Sequence, residues 1–242
     1  MLLKDGITET DDTRLAFIPN KDERSRLYKA VDAIEDDAPE LVYRDWFPNI
    51  WLDQQAEGSC VGHSLAQELA TSPVRYTEGI DDPFAFELYH EAQHRDPWPG
   101  CHKGLQCPVE PSQQAYEGTS LLAGLQILSE RGKIKEYRWA FGEEDLALSI
   151  GNLGPAVIGV PWYESMYHPH PETNYISPAG RKVGGHAIVV AGFDPYRERY
   201  KLWNSWGKDY GINGWAYLSR SDMTKLLADN GEAAIPLQRK AS

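Results

Sequence analysis

The chain has 242 residues, 41% of them hydrophobic and 25% charged, which is typical of a folded globular protein and excludes disorder of the whole chain. Its net charge of −12 would repel phosphate backbones and anionic lipid. We therefore expect no nucleic-acid partner and no membrane partner.

The first 20 residues are polar and rich in turn formers, and we expect them to be loosely held. They lack the apolar core of a signal peptide, so we expect a cytoplasmic protein, or one delivered by a route without a signal peptide. Residues 22–34 follow, with Leu27, Val31 and Ile34 at the spacing of one helix face, and this pattern predicts a helix.

Three more helices are predicted in the first half of the chain, at about 60–70, 83–94 and 119–131. Between the last two, residues 97–116 carry four prolines and two cysteines, and this composition indicates a long ordered loop.

The second half is dominated by short apolar runs that predict strands. Helices followed by strands indicate an α+β protein with a helical lobe and a β lobe. The predicted strands cover about 154–160, 185–193, 199–205, 214–219 and 233–238, with a short helix at 221–229 before the last of them.

Cys60 stands at the predicted start of the 60–70 helix, after Gly58 and Ser59. The positive end of a helix dipole favours the thiolate, which is the nucleophilic form of cysteine. A buried structural cysteine is an equally good interpretation of this feature alone.

Two further motifs lie downstream. His186 follows two glycines and leads the apolar run AIVVAGF, and Asn204 begins the sequence NSWGKDYGINGW. An asparagine side chain can fix the orientation and tautomer of an imidazole. Taken singly, each motif also fits an ordinary core histidine and an ordinary turn.

Together the motifs resemble those of papain-like cysteine peptidases, in which Cys, His and Asn occur in this order. Gln54 lies six residues before Cys60, His186 is followed by alanine, and NSWG precedes a G-x-N-G turn. The resemblance covers about residues 45–238. It implies a two-lobed α+β fold, with a cleft between a helical lobe at about 45–150 and a β-barrel-like lobe at about 151–238. Residues 1–44 would form an N-terminal extension.

The resemblance also implies roles for single residues. Cys60 would be the nucleophile, His186 its base and Asn204 the residue that orients the base, while Gln54 would stabilise the oxyanion. The reaction would cleave peptide bonds of a peptide or protein substrate through a thioester, without a cofactor or metal. Four further residues would contact the substrate: Gly118, Gly159, Gly185 and Trp206.

Several features depart from secreted members of the family. Glu57 replaces a disulfide cysteine, Val61 replaces a tryptophan after the nucleophile, and residues 101–115 look like an insertion. Only 59 residues precede Cys60, so we expect a bacterial or phage-type member without the long prosegment. Cys101 and Cys107 are close enough in sequence to pair, but a cytosolic thiol pool would keep them reduced.

The same chemistry could also serve cell-wall peptide cleavage, deamidation or transpeptidation, and two alternatives to a cysteine peptidase remain open as well. HEAQH at residues 90–94 matches a zinc-peptidase helix, with His102, Glu110 or Glu117 as conceivable third ligands, although none lies in a second motif. The chain could instead be a non-catalytic papain-like module that binds peptides or proteins. The presence of Cys60, His186, Asn204 and Gln54 together argues against that second alternative.

Overall fold

The computed structural model describes residues 12–35, 39–73, 75–76, 78–98 and 117–237. Within these residues the chain forms five α-helices and eight β-strands that join one mixed sheet. The α+β class predicted from the sequence is confirmed. No helix in the described part of the chain is long and apolar enough to span a membrane.

The helix predicted over residues 22–34 is not formed. Two short 3-10 turns, Glu23–Leu27 and Val31–Ala33, replace it. Tyr28 and Ala30, at either side of Lys29, exchange backbone hydrogen bonds with Trp139, so that Lys29 forms a parallel bridge with Trp139 between the two turns. Leu27, which the helix would have buried, is 77% exposed.

The first strand and the three predicted helices follow. They are β1 (Arg44–Asp45), α1 (Cys60–Leu69), α2 (Asp82–Arg95) and α3 (Leu121–Glu130). Asp81 and Ser120 cap α2 and α3, since each side chain accepts a hydrogen bond from a backbone N–H of the first turn. The predicted bounds of all three helices hold to within about two residues, the usual uncertainty of helix ends.

Between α3 and the main strands lie two elements that the sequence analysis did not predict, β2 (Glu136–Trp139) and α4 (Glu143–Asn152). Helix α4 buries Leu146 and Ile150 and carries three acidic residues in its first turn, where they favour the helix dipole.

Seven of the strands follow one another across the sheet in the order β2-β8-β3-β5-β6-β7-β4, and β1 pairs with β5. All pairs are antiparallel except β4 with β7. The remaining elements are β3 (Ala156–Tyr163), β4 (Tyr175–Ile176), β5 (Lys182–Asp194), β6 (Arg199–Trp203), β7 (Trp215–Ser219), α5 (Arg220–Ala228) and β8 (Glu232–Leu237).

The sheet separates two hydrophobic clusters. The helices α1, α2 and α3 contribute most of one cluster, and α4, α5 and the other face of the strands form the second. Helix α1 therefore packs its apolar side chains against the sheet and directs its first residue, Cys60, toward β5. The predicted domain boundaries stay a prediction. The predicted 101–115 insertion, with Cys101 and Cys107, lies outside the described residues.

Candidate active site

Cys60 is the first residue of α1, and its side chain is fully buried. The side chain of the preceding residue, Ser59, makes no capping hydrogen bond in the described part of the chain, and the backbone N–H groups of this helix start point toward the region of the thiol. Backbone groups of Ala16 and Ala187 lie within hydrogen-bonding reach of the sulfur. Ala187 directly follows His186, so the thiol lies beside the strand that carries the candidate base.

His186 lies within β5, and Asn204 directly follows β6. The Nε2 atom of His186 is 2.8 Å from Oδ1 of Asn204. Because Oδ1 can only accept a hydrogen bond, Nε2 carries the proton, and Nδ1 of the neutral ring has a free lone pair. Nδ1 is buried and has no hydrogen-bond partner in the described part of the chain. The asparagine thus selects the tautomer that a general base requires.

Two tryptophan rings enclose His186. The ring centroids of Trp162 and Trp206 lie 4.7 and 4.9 Å from that of the imidazole. These rings shield the hydrogen bond between His186 and Asn204 from water, which strengthens it.

The side chain of Gln54 is buried and held from both ends. Its Oε1 accepts a 2.7 Å hydrogen bond from the Ser205 hydroxyl, and its Nε2 donates to the carbonyl oxygens of Glu57, at 2.8 Å, and Arg14, at 3.1 Å. Gln55, the next residue along the chain, is exposed. The donor amide therefore already holds a peptide carbonyl of the same chain.

The carbonyl of Arg14 belongs to residues 12–20, which we call the N-terminal segment. The prediction that this part of the chain is loosely held is wrong for its centre, since Leu15, Ala16 and Phe17 are at most 2% exposed. The segment forms parallel bridges from Ala16 to Gly185 and from Phe17 to Thr119. We call this arrangement the closed conformation.

Three of the predicted substrate-contacting glycines touch the N-terminal segment. Gly185 accepts a 3.0 Å hydrogen bond from the Phe17 N–H. A Cβ on Gly159 would lie 2.3 Å from the Phe17 ring, and one on Gly118 would lie 2.0 Å from the Ala16 carbonyl oxygen. Only glycine permits these approaches. The hydrogen bonds on the Gly118 side are made by Thr119, which donates to Ala16 and accepts from Ile18.

Trp206, the fourth predicted substrate contact, meets the same segment at its other end. The guanidinium of Arg14 lies 4.2 Å from the centroid of the Trp206 ring, a cation–π distance, and Asp12 forms a 2.8 Å ion pair with Arg14. All eight residues proposed from the sequence thus surround a single cleft, which the N-terminal segment fills. Their substrate contacts stay a prediction.

The electrostatics of the closed conformation differ from the sequence-based expectation of a thiolate. Burial raises the pKa of Cys60 to about 11, and the backbone contacts offset only part of this effect. Burial likewise lowers the pKa of His186 to about 4, although its bond to Asn204 acts in the opposite direction. With the N-terminal segment in the cleft, the pair is therefore neutral at pH 7.

The HEAQH motif lies in α2, and its first histidine, His90, contacts Glu57 in the loop that precedes α1. Nε2 of His90 is 2.7 Å from Oε1 of Glu57, the residue that replaces a disulfide cysteine in the resemblance. Within the described ranges, no group of three or more His, Cys, Asp or Glu side chains is arranged to hold a metal ion. His102 and Glu110, two of the conceivable third ligands, lie outside those ranges.

Several residues of the cleft were not foreseen from the sequence: Arg14, Phe17, Thr119, Trp162 and Ser205. One signal for the segment was available, since Leu15 to Ile18 form an apolar run in an otherwise polar region. Ser205 stands in the NSWG motif, but its bond to Gln54 spans 151 positions of sequence and has no local signature.

The chain matches a family of known proteins. The family model described as papain family cysteine protease matches residues 93–234, more than half of the chain. The match includes His186 and Asn204, whereas Gln54 and Cys60 precede it. Among curated protein sequences, none matches this chain.

Solved structures share the fold at low sequence identity. Xylellain, a cysteine protease from Xylella fastidiosa, has a TM-score of 0.55 and 18% identity, over 97% of this chain and 100% of that one. The proform of the ragweed pollen cysteine protease Amb a 11 has a TM-score of 0.53 and 15% identity, over 85% and 68%. Digestive procathepsin L2 from Tenebrio molitor larval midgut has a TM-score of 0.50 and 16% identity, over 96% and 78%.

Proposed function

Because the chain belongs to the papain family of cysteine proteases, we propose that it hydrolyses peptide bonds with Cys60 as the nucleophile and His186 as the base. The observation that carries the proposal is the 2.8 Å bond from His186 Nε2 to Asn204, which leaves Nδ1 free to accept a proton. The buried thiol lies next to the same strand.

The proposed reaction is acyl transfer. The Cys60 proton moves to Nδ1 of His186, and the thiolate attacks the carbonyl carbon of the scissile bond. The Gln54 amide and the Cys60 backbone N–H stabilise the oxyanion that forms. His186 then returns the proton to the leaving amine, and water hydrolyses the thioester. Asn204 keeps the imidazole in the tautomer that both proton transfers need.

The closed conformation does not admit a substrate, because the N-terminal segment fills the cleft. The direction in which the N-terminal segment runs through the cleft also opposes cleavage of the segment itself. The segment runs from the Arg14 carbonyl at Gln54 to the Phe17 ring at Gly159. The family resemblance implies that Gly159 lies near the pocket for the second residue upstream of the cut. A substrate bound in that pocket, with its scissile carbonyl at Gln54, would run the opposite way. Activity therefore requires the segment to leave the cleft.

Departure of the N-terminal segment would also change the protonation of the pair. Both pKa shifts arise mainly from burial, and solvent entering the cleft removes that cause. The helix start at Cys60 and the neighbouring imidazole then favour the thiolate–imidazolium form. In this proposal the same movement admits the substrate and activates the nucleophile.

A peptide epoxide that alkylates active-site thiols tests the proposal. We expect mass spectrometry of the full chain carrying Phe17→Ala, a change that should release the N-terminal segment, to locate the label on Cys60, with Cys101 and Cys107 unmodified. Addition of His186→Ala should abolish this preference. Labelling of all three cysteines alike, with no turnover of peptides, would instead support a papain-like binding module.

A further inference from the structure

A second histidine, His63, lies on α1 one turn after Cys60 and is fully buried. Its backbone N–H and its ring Nδ1 lie 3.0 and 3.1 Å from the carbonyl oxygen of Ser59. Because a carbonyl oxygen can only accept a hydrogen bond, Nδ1 carries a proton and donates it. The Ser59 carbonyl thus receives two hydrogen bonds from one residue.

The Ser59 carbonyl and the Cys60 N–H belong to the same peptide unit. In the proposed mechanism this N–H is one of the two donors that stabilise the oxyanion. Hydrogen bonds accepted by a peptide carbonyl polarise the peptide unit, which strengthens its N–H as a donor. The buried ring of His63 therefore acts on the oxyanion site through the peptide bond that precedes Cys60.

The other ring nitrogen of His63 faces Asp82, the first residue of α2. Its Nε2 lies 3.6 Å from Oδ1 of Asp82, which is an ion-pair distance but longer than a hydrogen bond. The neighbouring His63 ring lowers the pKa of the Asp82 carboxyl, although partial burial acts in the opposite direction. Asp82 is therefore ionised at neutral pH and attracts the N–H edge of the imidazole.

Asp82 also holds the loop that carries Gln54, the second proposed oxyanion donor. The same Oδ1 atom accepts a 2.9 Å hydrogen bond from the backbone N–H of Asp53, the residue before Gln54. Asp53 in turn forms an antiparallel bridge with Trp206. The position of the Gln54 amide thus depends on a carboxylate that belongs to α2.

We propose that His63 and Asp82 are positioning residues of the oxyanion site. His63 acts on the Cys60 N–H, and Asp82 acts on the Gln54 amide. Each does so through a hydrogen bond to a neighbouring backbone group, without touching the reacting atoms. The inference rests on the proposed function and adds two residues to its catalytic apparatus.

The test compares two reactions of Cys60 in the full chain. Hydrolysis of a fluorogenic peptide amide needs the oxyanion site, whereas alkylation by iodoacetamide needs only the thiolate and forms no oxyanion. All variants carry Phe17→Ala, which should release the N-terminal segment and give both reagents access. The substrate is the peptide amide that this parent cleaves fastest in a mixed set, and mass spectrometry assigns the alkylation to Cys60.

Asp82→Ala should lower kcat at least about tenfold, because the loop that carries Gln54 loses its hydrogen bond to α2. The value of KM and the rate of alkylation should change less than about threefold, since neither depends on the oxyanion site. In Asp82→Asn the amide oxygen can still accept from the Asp53 N–H, so most of kcat should return. This rescue would not occur if only the charge of Asp82 mattered.

Asp81→Ala is the matched control, because the Asp81 side chain accepts a hydrogen bond from the Phe84 N–H and so caps the same helix. Loss of this cap should lower the melting temperature while changing kcat less than about twofold. His63→Phe tests the other residue. Phenylalanine can keep the aromatic contact with Phe86, whose ring centroid lies 4.7 Å from that of His63, but it has no donor for the Ser59 carbonyl. We expect kcat to fall at least about tenfold, with alkylation within about threefold of the parent.

The possible results separate the two proposals. An unchanged kcat in Asp82→Ala or in His63→Phe would overturn the role of that residue and leave the peptidase function standing. A parallel fall of kcat and of alkylation would show that the residue supports the site as a whole, which also contradicts a specific role at the oxyanion. If the Phe17→Ala parent is alkylated at Cys60 but cleaves none of the peptides, the proposed function is wrong, and the positioning role falls with it.

Discussion

The side-chain amide of Gln54 donates a hydrogen bond to the backbone carbonyl oxygen of Arg14, 3.1 Å away. In the proposed mechanism this amide holds the oxygen of the scissile carbonyl. Substrate and N-terminal segment therefore compete for one hydrogen-bond donor, and they exclude each other. The fraction of molecules in the open form sets the apparent activity of the chain.

Replacing Phe17 with alanine should release the N-terminal segment. The ring fills the space beside Gly159, and removal of a large buried aromatic side chain costs about 3–5 kcal/mol when it leaves a cavity. We expect the rate of Cys60 alkylation, followed by mass spectrometry, to rise by at least about tenfold.

Phe47→Ala is the matched control, because Phe47 is 57% exposed and lies outside the segment. Equal alkylation rates in the two variants would show that the ring does not hold the segment in the cleft.

Gln54→Ala should lower kcat by about 10²–10³, the usual effect of removing one oxyanion donor, with little change in KM. The measurement is steady-state hydrolysis of a peptide substrate by the variant and the wild type. Gln55→Ala provides the control from the next position, where the side chain is exposed. A larger loss of kcat in Gln55→Ala than in Gln54→Ala would show that Gln55, and not Gln54, stabilises the oxyanion.

Cys60→Ala should abolish hydrolysis and leave the fold intact, because alanine fits the same buried site with a small cavity. Circular dichroism and urea denaturation monitor folding, and the expected loss of stability is about 1 kcal/mol. If this variant stays active and a chelator then removes the activity, the result would favour a zinc peptidase that uses the HEAQH motif.

Acidification should change the stability of two variants, His186→Gln and Glu232→Gln, in opposite directions relative to the wild type. Burial lowers the pKa of His186 to about 4, so this residue stabilises the closed conformation above pH 6.5, and the contribution is lost as pH falls toward 4. Burial raises the pKa of Glu232 to about 7, so its contribution is present below pH 4.5 and is lost as pH rises through 7.

The two contributions oppose each other between pH 5 and 7, and each amounts to about 2 kcal/mol. Urea denaturation at both pH values separates them. On acidification from pH 7 to pH 5, the His186→Gln variant should become more stable relative to wild type, and Glu232→Gln less stable. The same change in both variants would mean that one of the two groups is not titrating in this range.

Local patterns were sufficient to predict some parts of this structure. Helices α1, α2 and α3 each have an apolar face within a single stretch of sequence, and α2 and α3 also have capping residues there. The spacing of Cys60, His186 and Asn204 identifies the family. Residues 22–34 also have a helical pattern, but backbone hydrogen bonds that join Tyr28 and Ala30 to Trp139, more than 100 residues away, interrupt the helix there. Tertiary contacts outweighed local propensity there.

The N-terminal segment could not be predicted for a related reason. Its order comes from Gly185, Thr119 and Gln54, three residues that the fold brings together from distant positions. An apolar run of four residues does not reveal that it binds a cleft formed elsewhere in the chain. The expectation of a Cys60 thiolate failed for the same reason. The helix start, which lowers the pKa of the thiol, can be predicted from local sequence, whereas the burial that raises this pKa depends on the N-terminal segment.

Burial of Cys60 also protects the thiol from oxidation. Peroxides react with accessible thiolates, and the closed conformation presents a protonated sulfur without solvent access. The N-terminal segment would thus preserve a reduced nucleophile during storage of the protein, and its release would expose that sulfur to sulfenic-acid formation. Hydrogen peroxide should modify Cys60 faster in Phe17→Ala than in the wild type, and equal rates measured by mass spectrometry would contradict this protection.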